Sequence, residues 1–186
     1  MKYHTVLIDP PWYETGGGRI HRGADRHYPL LKTPQIISLC QEVLKDRLEE
    51  SCHCYIWVIN NYLPDGLETL EALGSRYITN LVWVKDRFGL GQYYRGQHEL
   101  LLFGVKGVLP YKNKTQSTVI HAKRRLHSQK PNEQYQKIEA VSYPPYLELF
   151  ARYERPGWDN WGMRHKSLTG ERFIVKILPL GNSQTL

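Results

Sequence analysis

Six residues with strand character, Tyr3-His4-Thr5-Val6-Leu7-Ile8, run directly into Asp9-Pro10-Pro11-Trp12. This junction limits the fold more than any other stretch of the chain. Two consecutive prolines have no N–H to give a ladder and fix φ near −65°, so a central strand must end here. The carboxyl end of that strand then carries a carboxylate, a rigid turn and a large aromatic. An exocyclic aromatic amine is a poor nucleophile, because its lone pair is delocalised into the ring. Two acceptors, one on each N–H, draw such a nitrogen toward tetrahedral geometry. Asp9 can supply a carboxylate oxygen, and Pro10 a backbone carbonyl whose direction the prolines fix. Trp12 offers a flat face on which a base can stack. The competing reading is a strand that stops in a rigid turn, with Asp9 as a local cap.

Beyond this junction the chain alternates between two periods. Residues 13–32 are loop-like and hold Gly16-Gly17-Gly18, Arg19, Arg22, Arg26 and Tyr28; a long loop inside a compact domain is usually functional. Thr33 reads as a helix N-cap followed by Pro34, with Ile36, Ile37, Cys40, Val43, Leu44 and Leu48 on one helical face. Cys54 to Ile59 is a buried strand, and Leu67, Leu70 and Leu73 mark a short helix stopped by Gly74. Strands are expected at Tyr77–Lys85, Glu99–Val105 and Thr118–Ala122, a helix from Pro131 to about Val141, and a last core strand at Tyr146–Ala151. This alternation predicts an α/β domain, a mainly parallel twisted sheet with helices on both faces. A chain of 186 residues is one ordinary domain. The domain is assigned to 1–165, and 166–186 to a tail with a candidate edge strand at Phe173–Ile177.

In open α/β sheets, ligands gather beyond the carboxyl ends of the strands. Asp9, Lys85 and Arg152 all fall at such ends. No Gly-x-Gly-x-x-Gly string follows a strand and no phosphate-loop string is present, which argues against dinucleotide and nucleoside-triphosphate chemistry. No apolar run reaches the roughly 18 residues of a membrane helix, and no signal-peptide pattern opens the chain. Cys40, Cys52 and Cys54 are too few and too close for a disulfide framework or a zinc site, so a reducing cytoplasm is expected and no metal. The formal net charge is +7, and no acidic residue occurs from Leu100 to Asn132. That stretch holds Lys106, Lys112, Lys114, Lys123, Arg124, Arg125 and Lys130, a one-sign run that suits a polyanion such as nucleic acid. Its bland alternative is a solvated basic loop. Arg19, Arg22, Arg26, Lys123, Arg124 and Arg125 are the candidate phosphate contacts.

Several strings together resemble the MT-A70 family. They are Asp9-Pro10-Pro11-Trp12, Tyr28-Pro29, Trp83-Val84-Lys85, His98-Glu99 before Gly104-Val105-Lys106-Gly107, Ser128-Gln129-Lys130-Pro131-Asn132-Glu133, and Glu148-Leu149-Phe150-Ala151-Arg152. They keep the family order from about Tyr3 to Gly162, and the chain is similar to the short prokaryotic and phage-type members. The resemblance implies an S-adenosyl-L-methionine-dependent methyltransferase that modifies the 6-amino group of adenine in nucleic acid, DNA favoured over RNA. It implies a single Rossmann-like domain in permuted motif order, catalytic strand first, and leaves open a homodimer or a heterodimer with a related subunit. Asp9, Pro10, Pro11 and Trp12 match the catalytic motif. Tyr28 matches a gate-loop tyrosine near the target base, and Glu99 an acidic residue near the substrate adenosine. Ser128 and Lys130 match the second gate loop, with the lysine beside the cofactor, and Arg152 matches an arginine at the cofactor ribose. Ile8, Asp9 and Phe150 fall at the same cofactor edge.

The chain departs from the family pattern at Met163 and Arg164, where members carry Asn and then Glu or Gln. Met163 removes an expected polar contact with the cofactor, and Asn160 is the candidate substitute. Longer members also have an upstream acidic residue at the cofactor, which the eight residues before Asp9 do not supply. Trp57, Trp83 and Trp158 read as packing, and Arg152 has an alternative role as an ion-pair partner of Glu148 or Glu154. Two other functions remain: a non-catalytic subunit that binds nucleic acid and supports an active partner, and an amino-methyltransferase aimed at cytosine.

Overall fold

Tyr3–Ile8 forms a strand, β1, and it lies inside the sheet, not at an edge. The computed structural model describes residues 1–13, 30–89, 91, 93–125 and 129–162. After β1 come α1 (Thr33–Leu44), β2 (Leu48–Val58), a 3-10 turn (Asn60–Tyr62), α2 (Leu63–Ala72), β3 (Arg76–Val84), β4 (His98–Lys106), β5 (Val119–His121), α3 (Glu133–Val141), β6 (Tyr146–Leu149) and β7 (Trp158–Trp161). The strands form one seven-stranded sheet in the order β5-β3-β4-β2-β1-β6-β7.

β1 pairs in parallel with β2 on one side and β6 on the other. A strand covered on both faces must be apolar on both, which is why its sequence reads as a run and not as an alternation. Val6 and Ile8 face a core built with Ile36 and Cys40 of α1 and Leu70 of α2. Leu7 faces a second core with Tyr55, Trp57, Trp83 and Ile138 of α3. Helices therefore cover both faces, and the carboxyl end of β1 opens at the middle of the sheet.

β4 runs antiparallel to both β2 and β3, whereas the other pairings are parallel. Between β3 and β4 the described residues hold no crossover helix, and a parallel neighbour would need one. Other differences are local. α1 stops at Leu44, because Asp46 turns into the left-handed region at φ 59° and Leu48 already pairs with Tyr3. Thr33 is not the cap: Lys32 is, its N–H bound by Gln35 Oε1 at 2.9 Å, and Thr33 Oγ1 instead donates to Asp65 Oδ1 at 2.5 Å, tying α1 to α2. α3 begins at Glu133 and not at Pro131. β6 ends at Leu149 because Phe150 has a φ of 62°. The edge strand β7 has no counterpart in the sequence reading. Its two tryptophans point to opposite faces, Trp158 toward α3 and Trp161 toward α1, around a polar Asp-Asn pair that hides the strand pattern. The tail, with its candidate strand at Phe173–Ile177, lies outside the described residues.

Candidate active site

Asp9 follows β1 at the carboxyl edge of the sheet, and the turn behind it is closed by its own backbone. Trp12 N–H donates to Pro10 O at 2.9 Å, Leu31 N–H to Pro11 O at 2.8 Å, and Tyr13 N–H to Leu31 O at 3.0 Å. The Pro10 carbonyl expected to face a substrate amine thus already accepts one bond and keeps one lone pair for another donor. The turn also folds Trp12 inward. Its indole is 7% exposed, donates Nε1–H to Trp57 O at 2.9 Å, and lies under the Tyr62 ring at a centroid distance of 5.3 Å. Trp12 is therefore not an open stacking platform. One of its faces is covered, and the half-buried Tyr62, whose hydroxyl donates to Tyr13 O, is the outer member of the pair.

On the α3 side of Asp9 stands a chain of alternating charges. Lys130 Nζ sits 2.8 Å from Asp9 Oδ1 and 3.3 Å from Glu99 Oε2, and Lys85 Nζ sits 2.5 Å from Glu99 Oε1. The two ammonium groups rest over buried indoles, Lys130 at 5.5 Å from the Trp57 ring and Lys85 at 4.9 Å from Trp83. Those indoles are themselves fixed: Trp57 Nε1 donates to Gln134 Oε1 at 2.6 Å and Trp83 Nε1 to Ala122 O at 2.8 Å. Trp57 and Trp83 are thus packing residues that floor the site. Burial works against the Lys130 ammonium, but the Asp9 and Glu99 charges outweigh it and hold its pKa above the ordinary value. Burial likewise opposes the Glu99 carboxylate, but Lys130 and Lys85 outweigh it and hold its pKa below the ordinary value. Both groups are therefore ionised at neutral pH. Glu99 Oε2 is buried, and among the described residues the 3.3 Å ion pair with Lys130 is its contact.

Glu148 is a third carboxylate here. In the sheet it lies beside Leu7 of β1 and Asn160 of β7, and it accepts the Tyr135 hydroxyl of α3 at 2.9 Å. Burial, helped by the Asp9 charge, pushes its pKa up to about 7, against the Tyr135 bond and the charges of Arg155 and Arg152. In the sequence Glu148 opens the Glu148-Leu149-Phe150-Ala151-Arg152 string, where its one suggested role is as a partner for Arg152. The signal that could have singled it out is a carboxylate inside the core run Tyr146-Leu147-Glu148-Leu149-Phe150. Lys85, singled out by its strand end and by the Trp83-Val84-Lys85 string, anchors Glu99.

The cofactor-edge candidates fall around this cluster. Arg152 follows β6 closely enough for its charge to act on Lys130 and Glu148. Phe150 holds its left-handed backbone against Trp161, with ring centroids 5.8 Å apart; such outliers gather at functional sites. Gly162 makes this corner fit, since a Cβ there would meet Ala151 N and O at 2.5 Å. The Ile8 side chain is fully buried, so only its backbone faces the site. Tyr28, Ser128, Met163, Arg164, Arg19, Arg22 and Arg26 lie outside the described residues.

The basic stretch does not form one surface. Lys123, Arg124 and Arg125 are exposed beyond the carboxyl end of β5, on the edge that carries Asp9. Lys130 is inside the site. Lys106 ends the reversed strand β4, and Lys112 bonds the Tyr146 hydroxyl at 3.1 Å at the start of β6, so both lie at the opposite end of the sheet. Cys40, Cys52 and Cys54 are buried free thiols, the last two within β2. No helix among the described residues is long and apolar enough to cross a membrane.

The family profile described as MT-A70 matches residues 3–164. The chain is 28% identical over 188 residues to the type II methyltransferase M.MunI of a Mycoplasma species, covering 87% of this chain and 77% of that protein. It is 30% identical over 173 residues to the human N(6)-adenosine-methyltransferase catalytic subunit METTL3, covering 87% of this chain but 28% of METTL3. It is 28% identical over 186 residues to the human N(6)-adenine-specific methyltransferase METTL4, covering 86% of this chain and 37% of METTL4.

Proposed function

The chain belongs to the MT-A70 family, and from that membership we propose that it transfers a methyl group to the exocyclic 6-amino group of adenine in nucleic acid. We favour DNA over RNA, because a relative matched over 77% of its own length is named a type II methyltransferase. The observation that carries the reading is Asp9 at the end of the central strand, ion-paired to the buried Lys130 and flanked by Glu99 and Glu148.

The family's methyl donor, S-adenosyl-L-methionine, suits the mixed charges of this edge. It carries a carboxylate, an amine, ribose hydroxyls and a sulfonium. Lys130 and Arg152 are the cations for its anionic and ribose groups, Asn160 is a polar neighbour, and the backbone at Ile8 and Phe150 borders the same edge. When bound, it supplies a methyl group on positively charged sulfur, already activated for displacement. The chain's own residues do the rest. Asp9 Oδ1 is engaged by Lys130, but an ionised carboxylate has about four lone-pair sites, so it can still accept from the adenine amine. The free lone pair of Pro10 O accepts from the second amine N–H. So held, the amine nitrogen would present its lone pair to the methyl group that a bound donor supplies, and Asp9 or water would take the surplus proton. The catalytic gain lies in orientation and fixed electrostatics. A stacked duplex adenine cannot reach this edge, so the base must be flipped or come from a single strand.

The test is incubation with isotope-labelled cofactor and separate DNA and RNA pools, followed by nucleoside mass spectrometry. Labelled N6-methyladenine in the DNA pool is the expected product. Label on cytosine would replace this reading with a cytosine amino-methyltransferase. No product, together with no cofactor binding by calorimetry, would favour a non-catalytic subunit of a heterodimer.

A further inference from the structure

Between β3 and β4 the described residues 85–89 and 93–97 pair as a hairpin that continues the antiparallel ladder past both strand ends. Lys85 N–H donates to Gln97 O at 2.9 Å, Gly89 N–H to Gly96 O at 2.6 Å, and Arg95 Nε–H to Gly89 O at 2.6 Å. It therefore projects from the sheet edge that carries Asp9. Its tip presents Phe88, Tyr93 and Tyr94 at 63%, 104% and 87% exposure. Rings this exposed contribute little to folding. Arg87 and Arg95 flank them, and Asp86 Oδ1 accepts Arg124 N–H at 2.8 Å, which ties the hairpin base to the exposed run Lys123-Arg124-Arg125.

We propose that this hairpin is a stacking clamp for the nucleotides beside the target adenine on a single-stranded or locally opened nucleic-acid strand; the assignment rests on the function proposed above. Three arguments carry it. First, aromatic faces interleaved with cations are the chemistry that holds single strands, the rings taking bases and the cations taking phosphates. Second, the position is right. The hairpin starts at Lys85, the outer end of the Asp9–Lys130–Glu99–Lys85 chain, and the four chain steps from Lys85 to Gly89 span at most about 14 Å. The tip thus stands beside the reacting edge and not in it, so it meets neighbouring nucleotides and leaves the target base to the site. Third, the charge opposes a second copy of this chain as occupant. A two-fold contact through this patch would bring Arg87, Arg95 and Lys123-Arg124-Arg125 against their own copies. Every base has a π-face, so the clamp holds strands of any sequence with little preference.

The test uses the full chain carrying Tyr93→Ala with Tyr94→Ala, and a second variant with both tyrosines changed to Phe. Single-stranded oligonucleotides with one adenine carry 2-aminopurine one to three positions away, and fluorescence quenching and anisotropy are read without turnover. The parent should quench the flanking probe. The alanine variant should lose the quenching and bind at least about fivefold more weakly, the scale of one lost base–aromatic stack. The phenylalanine variant should keep both, and cofactor affinity by calorimetry should not change in either. Equal binding by the alanine variant would overturn the clamp, as would a loss of binding that tracks a dimer-to-monomer change in sedimentation. Failure of the clamp is separable from failure of the methyl-transfer reading. A chain that methylates no adenine but shows tyrosine-dependent quenching loses the latter only. A chain that methylates adenine with no flanking quenching loses the former only.

Discussion

Asp9 is held by Lys130, a lysine distant from it in sequence, and the consequences are local electrostatics. The carboxylates Asp9, Glu99 and Glu148 share one edge, yet their surroundings set Glu99 and Glu148 apart. Glu99 lies against Lys130 and Lys85, and its pKa falls; Glu148 is buried beside Asp9, and its pKa rises to about 7. A raised carboxyl pKa means that the folded state holds the proton more tightly than the unfolded chain. The stability it contributes is complete below the ordinary value of 4.5 and is lost as pH rises through about 7. Glu148→Gln removes that titration and keeps an oxygen for the Tyr135 hydroxyl. The variant should gain on the parent as pH rises, by about 2 kcal/mol between about pH 5.5 and pH 8, measured by urea unfolding at both values. A constant gap would show that Glu148 ionises normally. Asp9, Glu99, Lys130 and Arg152 were legible in the sequence because they stand at strand ends or in motif strings. The closed turn was not. That Trp12 packs under Tyr62 depends on contacts with Trp57 and Tyr62 far along the chain, which no local string encodes, and the inward fold of the turn brings Trp12 N–H onto Pro10 O.

The elements that deliver these residues depend on close approach between layers. α2 crosses β2 and β4 at Gly66, where a Cβ would meet Val58 Cγ1 at 2.3 Å and Leu102 Cδ1 at 2.8 Å. Gly66→Ala sets two effects against each other. Alanine favours the helix by up to about 1 kcal/mol. Overpacking against the stiff, β-branched Val58 costs about 1–3 kcal/mol, so it should win. We expect a net loss of about 1–2 kcal/mol in urea unfolding; a more stable variant would mean that α2 shifts freely on the sheet. Strands with strong apolar runs were legible from sequence, β1 and β6 above all. The end of α1 was not, because Leu48 continues the helical spacing from Leu44 and only its pairing with Tyr3 makes it a strand residue. The reversal of β4 follows from a connection without a helix. β7 was hidden because Trp158 and Trp161 serve opposite cores around two polar residues.

At the scale of the whole molecule, the basic stretch between Leu100 and Asn132 is divided between two ends of the sheet. Lys123, Arg124 and Arg125 stand with the site, while Lys106 and Lys112 stand opposite. Replacing Lys123, Arg124 and Arg125 with Gln should weaken binding of matched and mismatched oligonucleotides alike. It should also flatten the log–log salt dependence by about 0.7 per lost contact on single strands or about 0.9 on duplex DNA. Titrations at several salt concentrations check this, and the same change at Lys106 and Lys112 should leave the slope as it was. Both ends serve one central claim, that Asp9 acts on the adenine amine at the edge of the sheet. The most direct measurement is single-turnover methyl transfer by Asp9→Ala, with cofactor affinity by calorimetry and folding by circular dichroism read on the same sample. The account predicts a folded, cofactor-binding protein whose methyl transfer is slower by about 100-fold or more, the scale of one lost preorganised contact. Near-normal transfer by that folded variant would contradict it.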